Sequence, residues 1–270
     1  LTSQWKTGKT TLLSVLLARM AAGGTLAGRP VSPGYAAVVS EEGEEHWAAR
    51  DARVPLGSHV RLLCRPFRGR PTADDWAALV RSLADLRAAG RLDLAVIDPL
   101  AVFLPGRSEN EAGAVLDFLH PLQQLTAAGA GVLVLHHPKK GVPAAGQTAR
   151  GSGALMGSAD ILMEMDRIGG AAEADRRRRL WGFSRHPETP RQLVVELSAD
   201  GTDYAALGEF AAADQADHWP VLLGVLEDAP KKLTRREVLE AWPADHPRAS
   251  EVRFSRWMTE SGVPANAVPA

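Results

Sequence analysis

The stretch Ser3-Gln4-Trp5-Lys6-Thr7-Gly8-Lys9-Thr10-Thr11, which runs straight into an apolar-periodic segment at Leu12–Ala22, constrains this chain more than any other. A Gly-Lys-Thr turn that opens a helix wraps backbone N–H groups around a triphosphate. Its lysine reaches the β- and γ-phosphates and the following hydroxyl holds a divalent cation. The helix N-terminus adds its partial positive charge to the same anion. Lys6, Thr7, Gly8, Lys9, Thr10 and Thr11 are therefore the candidate nucleotide-binding residues. The strict pattern has glycine where Ser3 stands, and the alternative is a plain turn with a surface lysine. A strand should feed such a loop, yet the loop begins almost at Leu1, with no methionine before it. The expectation is a mostly missing first strand and a fragment or incomplete gene product.

Composition narrows the classes. The 270 residues are 45% hydrophobic and 23% charged, enough for one sizeable core plus a small extra domain. A formal net charge of −1 gives no global basic field, so any nucleic-acid contact rests on local patches. The single cysteine, Cys64, excludes an intramolecular disulfide framework and fits a reducing, cytoplasmic compartment, with inert burial as its role. No apolar run reaches membrane-spanning length and no signal peptide is visible, so no membrane partner is expected.

Along the chain, short apolar runs alternate with helical periodicity. Strands are expected at 35–40, 59–64, 92–98, 131–137 and 159–165, and helices at 10–22, 44–50, 72–89 and 109–128. Strands separated by helices imply an α/β fold with a parallel central sheet flanked by helices. The runs at 92–98 and 131–137 are nearly all apolar, as strands covered on both faces are. Thr72-Ala-Asp-Asp75 reads as a capped helix start. Residues 179–185 and 192–197 read as paired strands at the sheet edge, 208–216 as a linker, and 217–270 as a small helical segment.

Three strand ends carry chemistry. Leu92–Asp98 ends in a carboxylate where an α/β sheet keeps its ligands, so Asp98 is a candidate Mg2+ residue opposite Thr10; the plainer reading is a turn opener before Pro99. Ser40-Glu41-Glu42 ends another strand. Adjacent acids there diverge, so only one faces a phosphate, and Glu42 is the candidate base that orients water; an acidic helix start is the alternative. Leu133-Val-Leu-His136-His137-Pro-Lys139-Lys140 ends a third, with His137 a candidate phosphate sensor. Zinc has no supporting Cys/His cluster, and a histidine merely satisfied by hydrogen bonds remains open. The Gly/Ala/Pro-rich run that follows carries Lys139, Lys140 and Arg150, which suit a nucleic-acid backbone or simply a solvated loop.

Taken in order, Gly-Lys-Thr, Ser-Glu-Glu, Val-Ile-Asp-Pro, Leu-His-His-Pro-Lys-Lys-Gly and Arg150-Gly-Ser-Gly resemble a RecA-like ATPase, nearest the plasmid RepA-type hexameric replicative helicases and related phage and plasmid AAA-family ATPases. The resemblance covers about residues 1–200. It implies a RecA-like P-loop NTPase core with ATP and Mg2+ as ligands, Lys9 and Thr10 at phosphate and metal, and Asp98 at the metal. It also implies Glu42 as catalytic glutamate, His137 as γ-phosphate sensor, and a homo-oligomer, a hexameric ring on single-stranded DNA. Some members carry serine where Ser3 stands. Those rings use an arginine from the neighbouring subunit shortly after Arg-Gly-Ser, where this chain reads Ser158-Ala159-Asp160. Arg185 is the candidate replacement, and Arg176–Arg179 reads as a solvated hairpin tip.

In the last segment, 218–226 reads as a helix, Leu233–Leu239 as a second capped by Thr234 and Glu237, and 248–258 as a third with Arg253 and Arg256 outward. Three short helices with cations on the last resemble a winged helix-turn-helix for duplex DNA, although no wing follows; a truncated or protein-binding domain is the alternative. The domain reading is thus 1–207 ATPase, 208–216 linker and 217–270 winged-helix-like. The function expected is Mg2+-dependent ATP hydrolysis coupled to DNA, as in a helicase or replication motor. The alternative is a nucleotide-gated DNA-binding regulator. A small-molecule kinase is weaker, since no segment reads as a substrate lid.

Overall fold

The computed structural model describes residues 1–4, 6–105, 112–137, 153–168, 175–208, 210–229, 233–244 and 246. Strands are β1 Thr2–Ser3, β2 Gly24–Leu26, β3 Arg29–Val31, β4 Ala36–Ser40, β5 Val60–Cys64, β6 Leu94–Asp98, β7 Gly131–Val134, β8 Ile161–Arg167, β9 Arg177–Ser184, β10 Gln192–Leu197 and β11 Tyr204–Gly208. Helices are α1 Lys9–Arg19, α2 Glu44–Asp51, α3 Ala73–Ala88, α4 Leu100–Phe103, α5 Ala112–Ala127, α6 Gly153–Ser158, α7 Phe210–Glu227 and α8 Arg235–Glu240. The chain divides into two compact units, Leu1–Ala206 and Leu207–Ala270.

In the first unit, β5-β4-β6-β7 form a parallel sheet and β1-β8-β9-β10-β11 a second, in which β1 and β8 are parallel and β8, β9 and β10 antiparallel. A bridge between Thr2 and His136 joins them, with His136 N–H donating to Leu1 O at 2.9 Å. The feeding strand thus exists as Thr2–Ser3, held on both sides. Ser3 lies in register with Met165, still inside the strand, and its φ is not positive, so this position does not need glycine.

Alternation along β4 and β6 sorts their side chains onto two faces. Ala37, Val39, Ala95 and Ile97 pack with Trp76, Val80 and Leu83 of α3 and Phe118 and Leu122 of α5. Ala36, Val38 and Val96 pack with Leu13 and Leu17 of α1 and Trp47 of α2. Val15, on another side of α1, joins Met165, Val195 and Tyr204. Helix α1 therefore packs under both sheets, which fixes the loop at its N-terminus relative to every strand end.

The expected strands, and the expected helices that fall among the described residues, are present with shifted ends, and some elements carry no sequence signal. The β2–β3 hairpin turns on Ala27 (φ 50°) and Gly28 (φ 71°). A turn with two positive φ angles is signalled by Asn-Gly or Asp-Gly, and Ala-Gly lacks that mark. Residues 210–216 of the expected linker belong to α7, consistent with the helix preference of Ala211–Ala213. In the second unit, Leu222 of α7 packs with Val238 and Leu239 of α8 and with Trp242. Thr234 caps α8 with Glu237 in a capping box. The third helix and any wing lie outside the described residues. Among the described residues no helix is long and apolar enough to cross a membrane.

Candidate nucleotide site

The C-terminal ends of β1, β4, β6 and β7 meet at one edge of the joined sheet. Registers hold them level: Ser40 pairs with Asp98 and with Cys64, and Glu41 N–H donates to Asp98 O at 3.0 Å. There they bound a cleft of about 520 Å³, the size of a small-ligand site. Its walls are loop residues Gln4 and Lys6–Thr11, the carboxylates Glu41, Glu42 and Asp98, and Arg50 and His137.

The loop is shaped for an anion. Lys6 (φ 57°) and Gly8 (φ 106°) both take positive φ, alternating with ordinary backbone as in a concave nest of amides. The positive φ favours glycine at Gly8, and a Cβ there would also press on the Tyr204 hydroxyl at 3.0 Å. Thr7 Oγ1 donates to Gln4 O at 2.9 Å, tightening the turn. Lys9 is buried and Nζ donates to Ser3 O at 2.7 Å, folded along its own loop. Burial presses the Lys9 pKa down, and Asp98 works against that shift.

Negative charge is in excess at the far wall. Burial first, then Glu42 and Glu41, push the Asp98 carboxyl up to about 6. Burial, then Glu42, raises Glu41. A site of this kind gains from a divalent cation, and the Thr10 hydroxyl and Asp98 carboxylate suit magnesium. Among the described residues no group of three His, Cys, Asp or Glu side chains is poised for a metal. A cation held by one hydroxyl, one carboxylate and phosphate oxygens does not need one.

Glu42 is held by Arg50: Nη2 donates to Oε1 at 2.9 Å and Nη1 pairs with Oε2. The guanidinium lies 4.9 Å over Trp47, whose indole N–H donates to Ser40 Oγ at 2.9 Å, and Ser40 Oγ also accepts Glu42 N–H at 3.1 Å. The candidate base and its supporting arginine thus share one anchor at the end of β4.

Of the residues singled out in the sequence, Lys6–Thr11, Glu42, Asp98 and His137 come together here. Three expectations change. Glu41 and Glu42 both line the cleft, because the chain leaves the strand at Ser40 and strand alternation no longer applies. Arg176–Arg179 is not a solvated tip. Arg177–Arg179 belong to β9, and Arg178 is 8% exposed and donates to Thr7 O at 2.6 Å. Cys64 is only half-buried, beside the apolar cluster under α1. Arg185 is exposed and stands 3.5 Å from Asp160, away from this cleft's lining. His136 is buried, and its Nδ1 donates to His137 O at 2.6 Å. Lys139, Lys140, Arg150, Arg253 and Arg256 lie outside the described residues. Arg50 went unnoticed in the sequence, although its i, i+3 spacing from Trp47 on α2 was a readable signal.

The phosphate-shaped loop, the strand-end carboxylates and the parallel sheet define a P-loop nucleotide-binding ATPase core. Residues 1–142 match the family model of the AAA domain, and the chain belongs to this family of AAA-type P-loop ATPases. A search of curated proteins found no match to the chain.

Proposed function

We propose that the chain hydrolyses ATP with Mg2+ and couples hydrolysis to DNA, as a replicative helicase or replication-associated motor does. The observation that carries the hydrolytic part is the convergence of Lys9, Thr10, Glu42, Asp98 and His137 on one cleft. Lys9 offsets charge on the transferring phosphoryl group. Glu42 orients the attacking water and takes its proton, while Arg50 holds the carboxylate at its working angle. His137 lines the same cleft and is the proposed sensor of the terminal phosphate. Thr10 and Asp98 would hold Mg2+, which when bound would offset negative charge on the phosphates.

The DNA part rests on the resemblance of the His-His-Pro-Lys-Lys-Gly and Arg-Gly-Ser motifs to the RepA-type helicases. Lys139 and Lys140, just after the sensor in sequence, and Arg150, at the far end of the same Gly/Ala/Pro-rich run, are the proposed backbone contacts for single-stranded DNA. The assembly proposed is a homo-oligomer, a hexameric ring. Arg185 is the proposed arginine in trans. It pairs with Asp160, in the stretch where the helicases carry theirs, and its side chain is exposed.

The test is ATP turnover with and without single-stranded DNA and with and without Mg2+, with sedimentation to read assembly. DNA stimulation of a Mg2+-dependent rate supports the motor; turnover indifferent to DNA contradicts the coupling. A second reading, a nucleotide-gated regulator whose last helices, with Arg253 and Arg256, bind duplex DNA, is favoured by the separate core of the second unit. Sequence-selective duplex binding that ATP switches, without turnover, would establish it.

A further inference from the structure

Arg178 is an expensive side chain. It is 8% exposed, and its guanidinium donates to three carbonyls: Thr7 at 2.6 Å, Asp175 at 2.8 Å and Arg177 at 2.7 Å. The nearby Asp175 carboxylate is occupied by Arg177. Burial, and then the neighbouring Arg167, press the Arg178 pKa down. A charge buried on carbonyls stabilises a fold weakly compared with an apolar residue of like size, so its placement calls for another reason.

The reason lies in what it touches. Arg167 Nη2 donates to Lys6 O at 2.7 Å, so two arginines on adjacent antiparallel strands grip consecutive carbonyls of the phosphate loop. In a trans peptide the carbonyl of one residue and the N–H of the next point opposite ways. Lys6 O fixed on Arg167 turns Thr7 N–H away from β8, and Thr7 O fixed on Arg178 turns Gly8 N–H away from β9. Lys6 to Gly8 line the cleft and carry the positive φ angles of the nest.

We infer that Arg178, aided by Arg167, is a positioning residue that aims the loop's amides at the nucleotide phosphates from behind the loop. This deepens the nucleotide reading of the same site and rests on it. Both cations also add positive potential on the side of the loop opposite the ligand, favouring the anion before contact. Because the α- and β-phosphates are the groups such a loop cradles, the clamp acts on ATP and ADP alike and on binding more than on the chemical step.

The test measures Kd for ATP and for ADP, with kcat at saturating ATP, in the full chain well below its unfolding transition. Arg178→Gln is expected to weaken both nucleotides about tenfold while kcat falls less than about threefold. Arg178→Lys should recover part of the loss, since the charge returns without the fork. Arg167→Gln, at a half-buried side chain that makes the second grip, should weaken both about threefold. Val80→Ala, in the core between α3 and the sheet, supplies a stability-matched control that keeps Kd within about twofold. Unchanged Kd in Arg178→Gln and Arg167→Gln, or an equal loss in Val80→Ala, overturns the inference. If Arg178→Gln does not fold, Arg167→Gln decides. A wild-type chain that binds neither nucleotide overturns the parent reading as well, whereas wild-type binding with unaffected variants sinks only the clamp.

Discussion

Asp98 carries the heaviest electrostatic burden of any residue in the cleft. Its ordinary pKa of 3.8 rises to about 6 in the folded chain, through burial and then Glu42 and Glu41. Between those values the folded chain keeps a proton that the unfolded chain has lost. Stability of the nucleotide- and metal-free protein therefore falls as pH rises through that window and stays lowered above it. Asp98→Asn removes the penalty: the apo protein should gain on the order of 2–3 kcal/mol above pH 6 and little at the acid end of the window. Denaturant unfolding across pH reads this, and Mg2+-dependent turnover should be lost in the same variant. At Arg50 the balance is reversed. Its pair with Glu42 is partly exposed, so Arg50→Gln should change stability by less than about 1 kcal/mol. It should nevertheless lower kcat about tenfold, because the base loses its bidentate hold. Steady-state kinetics beside a melting curve separates the two effects.

At the scale of elements, the caps and the buried strands were open to sequence reading, and the turns were not. Thr72 accepts Asp75 N–H at 3.1 Å while Asp75 accepts Thr72 N–H at 3.0 Å, the capping box of α3. Thr72→Ala should cost about 1 kcal/mol in the denaturant midpoint without affecting nucleotide binding. That cap is local, so four residues reveal it. β4 and β6 were visible because strands covered on both faces read as unbroken apolar runs. The β2–β3 hairpin depends on positive φ at a residue, Ala27, that gives no hint of it. Arg178 was misread for a related reason. A run of four arginines looks solvated, while the period-2 pattern of β9 puts Arg178 on the side of Leu180, which packs with Met165 and Tyr204. Periodicity outweighs composition there.

Across the whole molecule, the site is a product of topology. Residues as distant in sequence as Lys9, Glu42, Asp98 and His137 meet because parallel strands end together and β7 lies between β6 and β1. Motif order revealed those four; the supports behind the loop, Arg167 on β8 and Arg178 on β9, depend on tertiary placement that no local spacing encodes. The central claim is that this cleft binds ATP through the loop and hydrolyses it through Glu42. Its most direct measurement compares ATP affinity and turnover in the wild-type chain and Glu42→Gln. The account predicts wild-type affinity within about threefold and a loss of turnover of about a hundredfold or more in the variant. Turnover in Glu42→Gln close to that of the wild type would contradict it.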